Sequence, residues 1–446
     1  MEYTVGSQIR IENPSILIEN FIKNKYTIDN PEYAKKERLG FWIGNTPKHI
    51  RLFYQNEDNL YVPFGIFNEL WELEKAPTKV LFGEPQKREF RWNEDVKLFD
   101  YQNKAVNSLV KAKNGILVAK CGSGKTLMAM RLIHDLGLKT LWLTHTTKLL
   151  EQSKNVAIKT LINCEIGEIS DGKVNIGKDI TFATIQTISR IDPSIYYKEF
   201  SLVICDECHK IFYNSSAVHM WSLVLNNLCA RYKFGLTATP YRADGMALGM
   251  FALLGNIAYE IQNCELQNRN VPVRYTQIEI DAEIKDSVVN SDGTLDYTRL
   301  ITSLCLDHER NKNIAKVVAN NYFENKNKSL LLCLRVNQCE ELQKILYNVY
   351  RLKATYIKSG KNKNIEDSDI LISTFQLIKE GYDNPVLKDL YLCSPIKDKV
   401  AIIQSVGRVQ RVVDEKTFAN VYDFVDVNIS LCKNYAYTRK RIIKKL

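Results

Sequence analysis

The chain has 446 residues, 45% hydrophobic and 25% charged, with a formal net charge of +10. That length exceeds one small domain and implies about three. The composition excludes disordered and fibrous classes, and no apolar run approaches a membrane span. The opening Met1–Arg10 lacks the basic start and apolar stretch of a signal peptide. An intracellular, cytoplasmic protein without a membrane partner is expected. The excess of Lys and Arg favours a polyanion partner. The 11 cysteines have no framework spacing, and Cys205, Cys333 and Cys393 fall in apolar runs. They read as small core residues in a reducing compartment.

Residues 1–92 read as a small α+β accessory domain. Pro14–Ile22 predicts a capped amphipathic helix, and Gly40–Ile43, Ile50–Tyr54 and Leu60–Val62 predict strands. The turn-rich, polar stretch from Ala76 to Arg88 predicts a linker. Leu98–Gln102 opens a helix that leads to an apolar strand, Gly115–Ala119. Thr140–Thr144, Ile180–Thr184, Leu202–Asp206 and Phe234–Thr239 are further strand candidates separated by helical patterns. Such alternation implies a parallel sheet covered on both faces, spanning residues 93–262. Residues 263–310 read as a connecting segment, with a strand at Val271–Ile278 and a turn at Asn290–Gly293. A second alternating unit fills 311–446, with strands at Ser329–Cys333, Ala354–Ile357, Asp369–Thr374, Leu390–Cys393 and Val421–Val425. The end, Tyr435–Leu446, is basic and aromatic and reads as a solvated helix.

The run Ala119-Lys-Cys-Gly-Ser-Gly-Lys-Thr126 joins the first strand to Leu127–Ile133, which is apolar at helical spacing. Strand, Gly-rich turn, Gly-Lys-Thr and helix together form the context of a phosphate-binding loop. Gly122 and Gly124 let successive N–H groups point inward around Ser123, and the helix N-terminus adds positive partial charge. Lys125 can then reach the β/γ-phosphates of ATP, and the Thr126 hydroxyl can ligate Mg²⁺. Ala119 stands where the usual pattern has Gly.

Asp206-Glu-Cys-His209 ends a later apolar strand. A carboxylate at a strand end beside the phosphate loop can hold Mg²⁺ through its water shell, and Glu207 is placed to deprotonate an attacking water. Cys205 to His209 also spells C-x-x-C-H, a haem-attachment pattern, but the first Cys sits in a core strand. Gln404-Ser-Val-Gly-Arg408-Val-Gln-Arg411 places two arginines three apart on one helical face, in a unit with no phosphate loop of its own. Arginine supplied from another domain stabilises a phosphoryl-transfer transition state.

With these pieces in hand, the chain resembles a superfamily 2 helicase or translocase from about Leu98 to Asp426. Tyr101-Gln102 is similar to the adenine-reading Q motif, Ala119–Thr126 to motif I, Thr144–Gln152 to Ia and Thr184–Gln186 to Ib. Asp206–His209 is similar to motif II, Thr237–Pro240 to III and Leu332–Arg335 to IV. Thr374–Gln376 with Gly381–Asp383 is similar to V, and Gln404–Arg411 to VI. Gly235–Gly245 resembles the branch of the repair-and-transcription 3′–5′ DNA helicase, with phage and poxvirus relatives, which opens a bacterial, phage or viral context. Three departures stand out: Ala243 replaces the middle carboxylate of that branch's triplet, Ser405 stands where arginine is common, and 356–369 is short.

The resemblance implies two tandem RecA-like domains with ATP and Mg²⁺ in the cleft between them. It implies nucleotide contacts at Gln102, Gly381 and Asp383, with Gln404, Arg408 and Arg411 completing catalysis. Coupling would fall to Thr237 and Thr239, and a nucleic-acid track to Thr146, Thr184, Arg335 and Thr374. Hydroxyls and an arginine grip phosphates without reading bases. The expected function is an ATP-dependent nucleic-acid motor, DNA favoured over RNA. The alternatives are an ATP-gated duplex remodeller that separates no strands and a phosphate-loop ATPase acting on protein. For residues 1–92 the sequence leaves DNA docking and a protein partner both open.

Overall fold

In the computed structural model the described residues are all but 57, 121, 212–214, 241–245, 267–269, 283–287, 289–295, 358–367, 380–383, 385, 414, 415 and 446. The Asn290–Gly293 turn, the triplet Arg242–Asp244, and Gly381 and Asp383 therefore lie outside the described residues. The chain divides into two units, Met1–Glu265 and Leu266–Leu446.

The first unit begins with a five-stranded sheet in the order Tyr54–Asn56, Asn59–Pro63, Gln8–Glu12, Glu2–Val5, Thr78–Val80. Period-2 burial in Gln8–Glu12 explains its one-sided packing. The helix Ile16–Lys25 starts where Ser15 Oγ accepts from Ile18 N and buries Ile18 and Ile22 over this sheet. Three local expectations are corrected. Gly40–Ile43 is not a strand but a turn after an unexpected helix, Pro31–Arg38, because Gly40 and Gly44 take φ of 63° and 53°. Ile50–Tyr54 splits between two sheets, as His49–Arg51 and Tyr54–Asn56. The expected linker supplies Thr78–Val80, which pairs parallel with Glu2–Val5.

The second sheet of this unit has eight strands, in the order Lys173–Asn175, Ile166–Ser170, Ile180–Thr184, Thr140–Thr144, Leu202–Cys205, Tyr232–Thr237, Asn114–Val118, Ile257–Glu260. All pairings are parallel except the first. Thr140–Thr144 and Ile180–Thr184 are buried at every position, as strands covered on both faces must be. One core runs from Tyr3 through Ile116 and Val203 to Leu254, so the N-terminal sheet and the parallel sheet share their apolar interior. The approach is close: a Cβ on Gly65 would lie 2.3 Å from the Gly255 nitrogen.

Lys233 sits in that junction, fully buried, donating to the carbonyls of Ser7 and Leu225 at 3.2 and 3.0 Å and lying 5.0 Å from the centroid of the Phe64 ring. Burial pulls its ammonium down to about 7, against opposing contributions from Cys229 and Cys205. From there up to the ordinary lysine value the folded unit holds Lys233 neutral while the unfolded chain binds a proton. Stability should therefore rise with pH across that window, by at most about 1.4 kcal/mol per pH unit. Lys233→Met should remove that rise. Denaturant midpoints of both proteins at several alkaline pH values are the measurement, and parallel pH profiles would mean that Lys233 stays charged.

The second unit is a six-stranded, all-parallel sheet in the order Val273–Ile280, Ala419–Asp426, Asp389–Leu392, Ser329–Cys333, Ile370–Thr374, Ala354–Tyr356. The segment read as a connector thus supplies an edge strand, Val273–Ile280. The terminal helix, Ser430–Ile443, is not a solvated one. Its Cys432, Ala436, Arg439 and Ile443 are buried, and Arg439 pairs with Asp423 at 2.8 Å and donates to the Ile396 carbonyl. Arg310 forms a second buried pair with Asp426, at 2.6 Å.

Candidate active site and nucleic-acid track

The strand Asn114–Val118 delivers the chain to the phosphate loop, and Ala119 N bonds the Thr237 carbonyl of the neighbouring strand at 2.9 Å. Gly122 and Gly124 both take φ of 83°, a left-handed geometry that glycine adopts without strain. The loop closes on itself, with Ser123 Oγ and N donating to the Lys120 carbonyl. Lys125 opens the helix Lys125–Leu136 at its N-terminus, and its Nζ lies 3.2 Å from the Ala119 carbonyl. Thr126 follows in the first turn, half-buried. A cavity of about 450 Å³ borders the loop at Ala119 and Lys120, opposite Ala238 and Gln262.

Gln102 is buried on the helix Asp100–Ala112. Its Nε2 donates to the Ser123 carbonyl at 3.0 Å, its Oε1 accepts from Phe99 N, and Tyr101 OH donates to the same Ser123 carbonyl. The residue expected to read adenine thus holds the phosphate loop in this structure.

Asp206 and Glu207 emerge from the carboxyl end of Leu202–Cys205. Asp206 is buried, and accepts from Glu207 N at 2.9 Å and from Ser153 Oγ at 3.4 Å. Burial and the adjacent Glu207 charge push its carboxyl above the usual range. Burial alone would raise Glu207 too, but Lys125, His209 and His145 outweigh it and hold Glu207 low. Glu207 has φ of 49°, a left-handed backbone unusual for a side-chain-bearing residue. Its Oε2 is buried and accepts no fully formed hydrogen bond, with His209 Nδ1 at 3.2 Å as its polar neighbour. The same Nδ1 lies 3.1 Å from Thr237 Oγ1, so a single ring nitrogen faces both the candidate base and the candidate coupling threonine. Thr237 Oγ1 also accepts from Thr239 N, and Thr239 Oγ1 is buried with no partner among the described residues.

Three residues here were not picked from the sequence: Ser153, His209 and His145. His145 is held down to about 4 by burial and by the Lys210 cation, which keeps it neutral. All three lie inside or beside runs quoted for other members, but their roles depend on neighbours distant in the chain.

The expected nucleic-acid residues share one structural position, the carboxyl ends of parallel strands. Thr184 ends its strand in register with Thr144, and Thr374 ends its own in register with Cys333. Thr146 caps the helix Thr147–Thr160, and Arg335 stands at the N-cap of Val336–Tyr350. Thr184 and Thr374 are largely buried, and their hydroxyls bond Thr187 Oγ1 and Leu377 N. In the second unit Gln404 lies buried in the helix Lys399–Val409, with its Oε1 lacking a partner among the described residues, and Arg408 lies in the last turn of that helix. Arg411 is not on the helix face. The helix ends at Val409, and Arg411 forms an antiparallel bridge with Asn270, because Val271 N bonds the Gln410 carbonyl instead.

This geometry is that of a phosphate-loop α/β protein, and the proteins it is similar to are of the helicase class. Residues 95–242 match the family "Type III restriction enzyme, res subunit". Among curated relatives, "Putative ATP-dependent RNA helicase L396" of Acanthamoeba polyphaga mimivirus is 26% identical over 356 residues, 77% of this chain and 66% of that protein. "DNA 3'-5' translocase XPB2" of Sulfurisphaera tokodaii is 31% identical over 176 residues, 40% of this chain and 38% of that protein. The chain spans 66% and 65% of the length of the first two curated relatives it matches. The fold matches "The fragment structure of a putative HsdR subunit of a type I restriction enzyme from Vibrio vulnificus YJ016", with TM-score 0.56 and 21% identity, over 78% of this chain and 66% of that one. No described helix is long and apolar enough to cross a membrane.

Proposed function

We propose that the chain is an ATP-dependent nucleic-acid motor, acting on DNA in preference to RNA. The observation that carries this reading is the set Lys125, Asp206, Glu207, His209 and Thr237, of which Asp206, His209 and Thr237 are buried, gathered at the strand ends beside the phosphate loop. Lys125 is the fixed cation for the β/γ-phosphates. Thr126 and Asp206 are the residues that would hold Mg²⁺, and the donor set fits. A buried carboxylate and a hydroxyl at a helix N-terminus suit an ion that keeps waters and phosphate oxygens as its remaining ligands. Bound there, Mg²⁺ would neutralise charge on the phosphates.

Glu207 takes a proton from the water that attacks the γ-phosphorus, as the bond to the bridging oxygen breaks. Gln404, Arg408 and Arg411 are the second unit's candidates to meet charge on the transferred group. His209 Nδ1 can bond Glu207 or Thr237, not both, so the state of the base bears on the segment Thr237–Thr239. Thr146 and Thr184 on the first unit, with Arg335 and Thr374 on the second, are the candidate grips on a phosphate backbone. Gly381 and Asp383 remain candidates for nucleotide contact.

The test combines ATP turnover with DNA, RNA or neither, strand displacement, and a salt titration of binding on two unrelated sequences. DNA should stimulate turnover more than RNA. Affinity should fall steeply with salt, with a log–log slope of several units, and differ little between sequences. Flat salt dependence, or a difference of roughly a hundredfold between sequences, would sink phosphate tracking. Stimulation without strand displacement would favour a duplex remodeller.

A further inference from the structure

Residues 30–48 form an arm on the N-terminal module. A two-stranded ribbon, Thr27–Asp29 paired with His49–Arg51, is its stalk. The helix Pro31–Arg38 that follows buries no residue at all. The arm then turns through Gly40-Phe-Trp-Ile-Gly44, where Trp42 is 88% and Phe41 62% exposed. Leaving two adjacent aromatic rings in water forgoes burial that their size makes valuable.

The arm is nonetheless closed by its own bonds. Asn30 Nδ2 donates to the Pro47 carbonyl, Lys36 Nζ to Thr46 Oγ1, and Phe41 N to the Lys36 carbonyl, at 2.8, 2.7 and 2.9 Å. Gly44 carries the Trp42 ring: a Cβ there would lie 2.8 Å from Trp42 Cζ3. The aromatic tip is a held platform, not a loose end.

Its surroundings are cationic. Lys35, Lys36, Arg38, Lys48 and Arg51 flank the tip, against Glu32 and Glu37 as the acidic side chains between Pro31 and Arg51. One of those cations is offset by pairing, Lys36 with Glu32 at 3.3 Å. At the stalk, His49, Arg51 and the exposed Tyr54 line the rim of a cavity of about 520 Å³. Planar exposed rings set among lysines and arginines are complementary to a chain of stacked bases and phosphates.

We infer that the Phe41–Trp42 tip is a stacking platform for unpaired bases, flanked by cations that hold the same strand's phosphates. The inference rests on the nucleic-acid reading above. It assigns the arm a strand-holding role separate from the strand-end track.

The experiment uses the full chain and a fluorescent single-stranded DNA carrying 2-aminopurine. Trp42→Ala should weaken binding about tenfold or more, within the range for one base–aromatic stack, and abolish quenching of the 2-aminopurine. Gly44→Ala, which displaces the ring without removing it, should weaken binding by a smaller factor. Thermal unfolding should be unchanged in Trp42→Ala, since the ring contributes nothing to the core. Unchanged affinity and quenching in Trp42→Ala, with wild type binding normally, overturn the platform and leave the motor intact. A wild type that binds no nucleic acid overturns both. If wild type sediments with phosphatidylserine vesicles and Trp42→Ala does not, a membrane surface is the occupant and the inference fails.

Discussion

Glu207→Gln is expected to stop ATP turnover while ATP binding persists. The argument starts from what Glu207 touches. Its carboxylate is largely buried, held ionised chiefly by Lys125 with His209 beside it, and its Oε2 is not committed to a fully formed hydrogen bond. Being ionised, it can take the proton that an attacking water gives up. The left-handed backbone at Glu207 points the same way, because such strain persists only where surroundings impose it. Gln keeps the shape and leaves Lys125, Thr126 and Asp206 in place, so phosphate and Mg²⁺ contacts survive. The amide cannot take the proton, and the loss should reach about 10²–10⁴-fold or more. Turnover can be followed by phosphate release and binding by a fluorescent ATP analogue. Hydrolysis near the wild-type rate would remove Glu207 from the chemistry.

The phosphate loop was legible because its signal is local. Strand, glycines, Lys125 and helix lie within one short stretch, and the observed φ values at Gly122 and Gly124 are those the pattern requires. The parallel sheets were legible too, since strands buried on both faces leave continuous apolar runs such as Leu202–Cys205. What sequence missed depends on long-range partners. Thr78–Val80 looks like linker until Glu2–Val5 offers it an edge. Arg439 looks solvated until Asp423, on a neighbouring strand, supplies a buried counter-ion. Gly40–Ile43 has strand-forming residues, but the glycines at Gly40 and Gly44 turn the chain instead. The His209 link between Glu207 and Thr237 joins residues thirty apart, and no local pattern announces it.

Arg411 carries the other large expected effect. It lies beyond the helix that holds Gln404 and Arg408, with its backbone fixed by the bridge to Asn270 and the bond from Val271 N to the Gln410 carbonyl. Those backbone bonds do not involve the side chain, so Arg411→Ala should fold normally. Two arginines on one helix face would act as a unit. Arg411 instead sits on an independently anchored segment and is expected to contribute on its own. If it meets the charge that develops on the transferred phosphoryl, its removal should lower kcat by about 10³ while barely changing ATP affinity. Arg408→Ala, on the helix, provides the comparison, and a double variant tests whether the two act separately. Steady-state kinetics over a full ATP range, with binding measured independently, gives the split. An Arg411→Ala protein that binds ATP poorly but reaches the wild-type rate at saturation would make Arg411 a ground-state contact and return the transition-state role to Arg408.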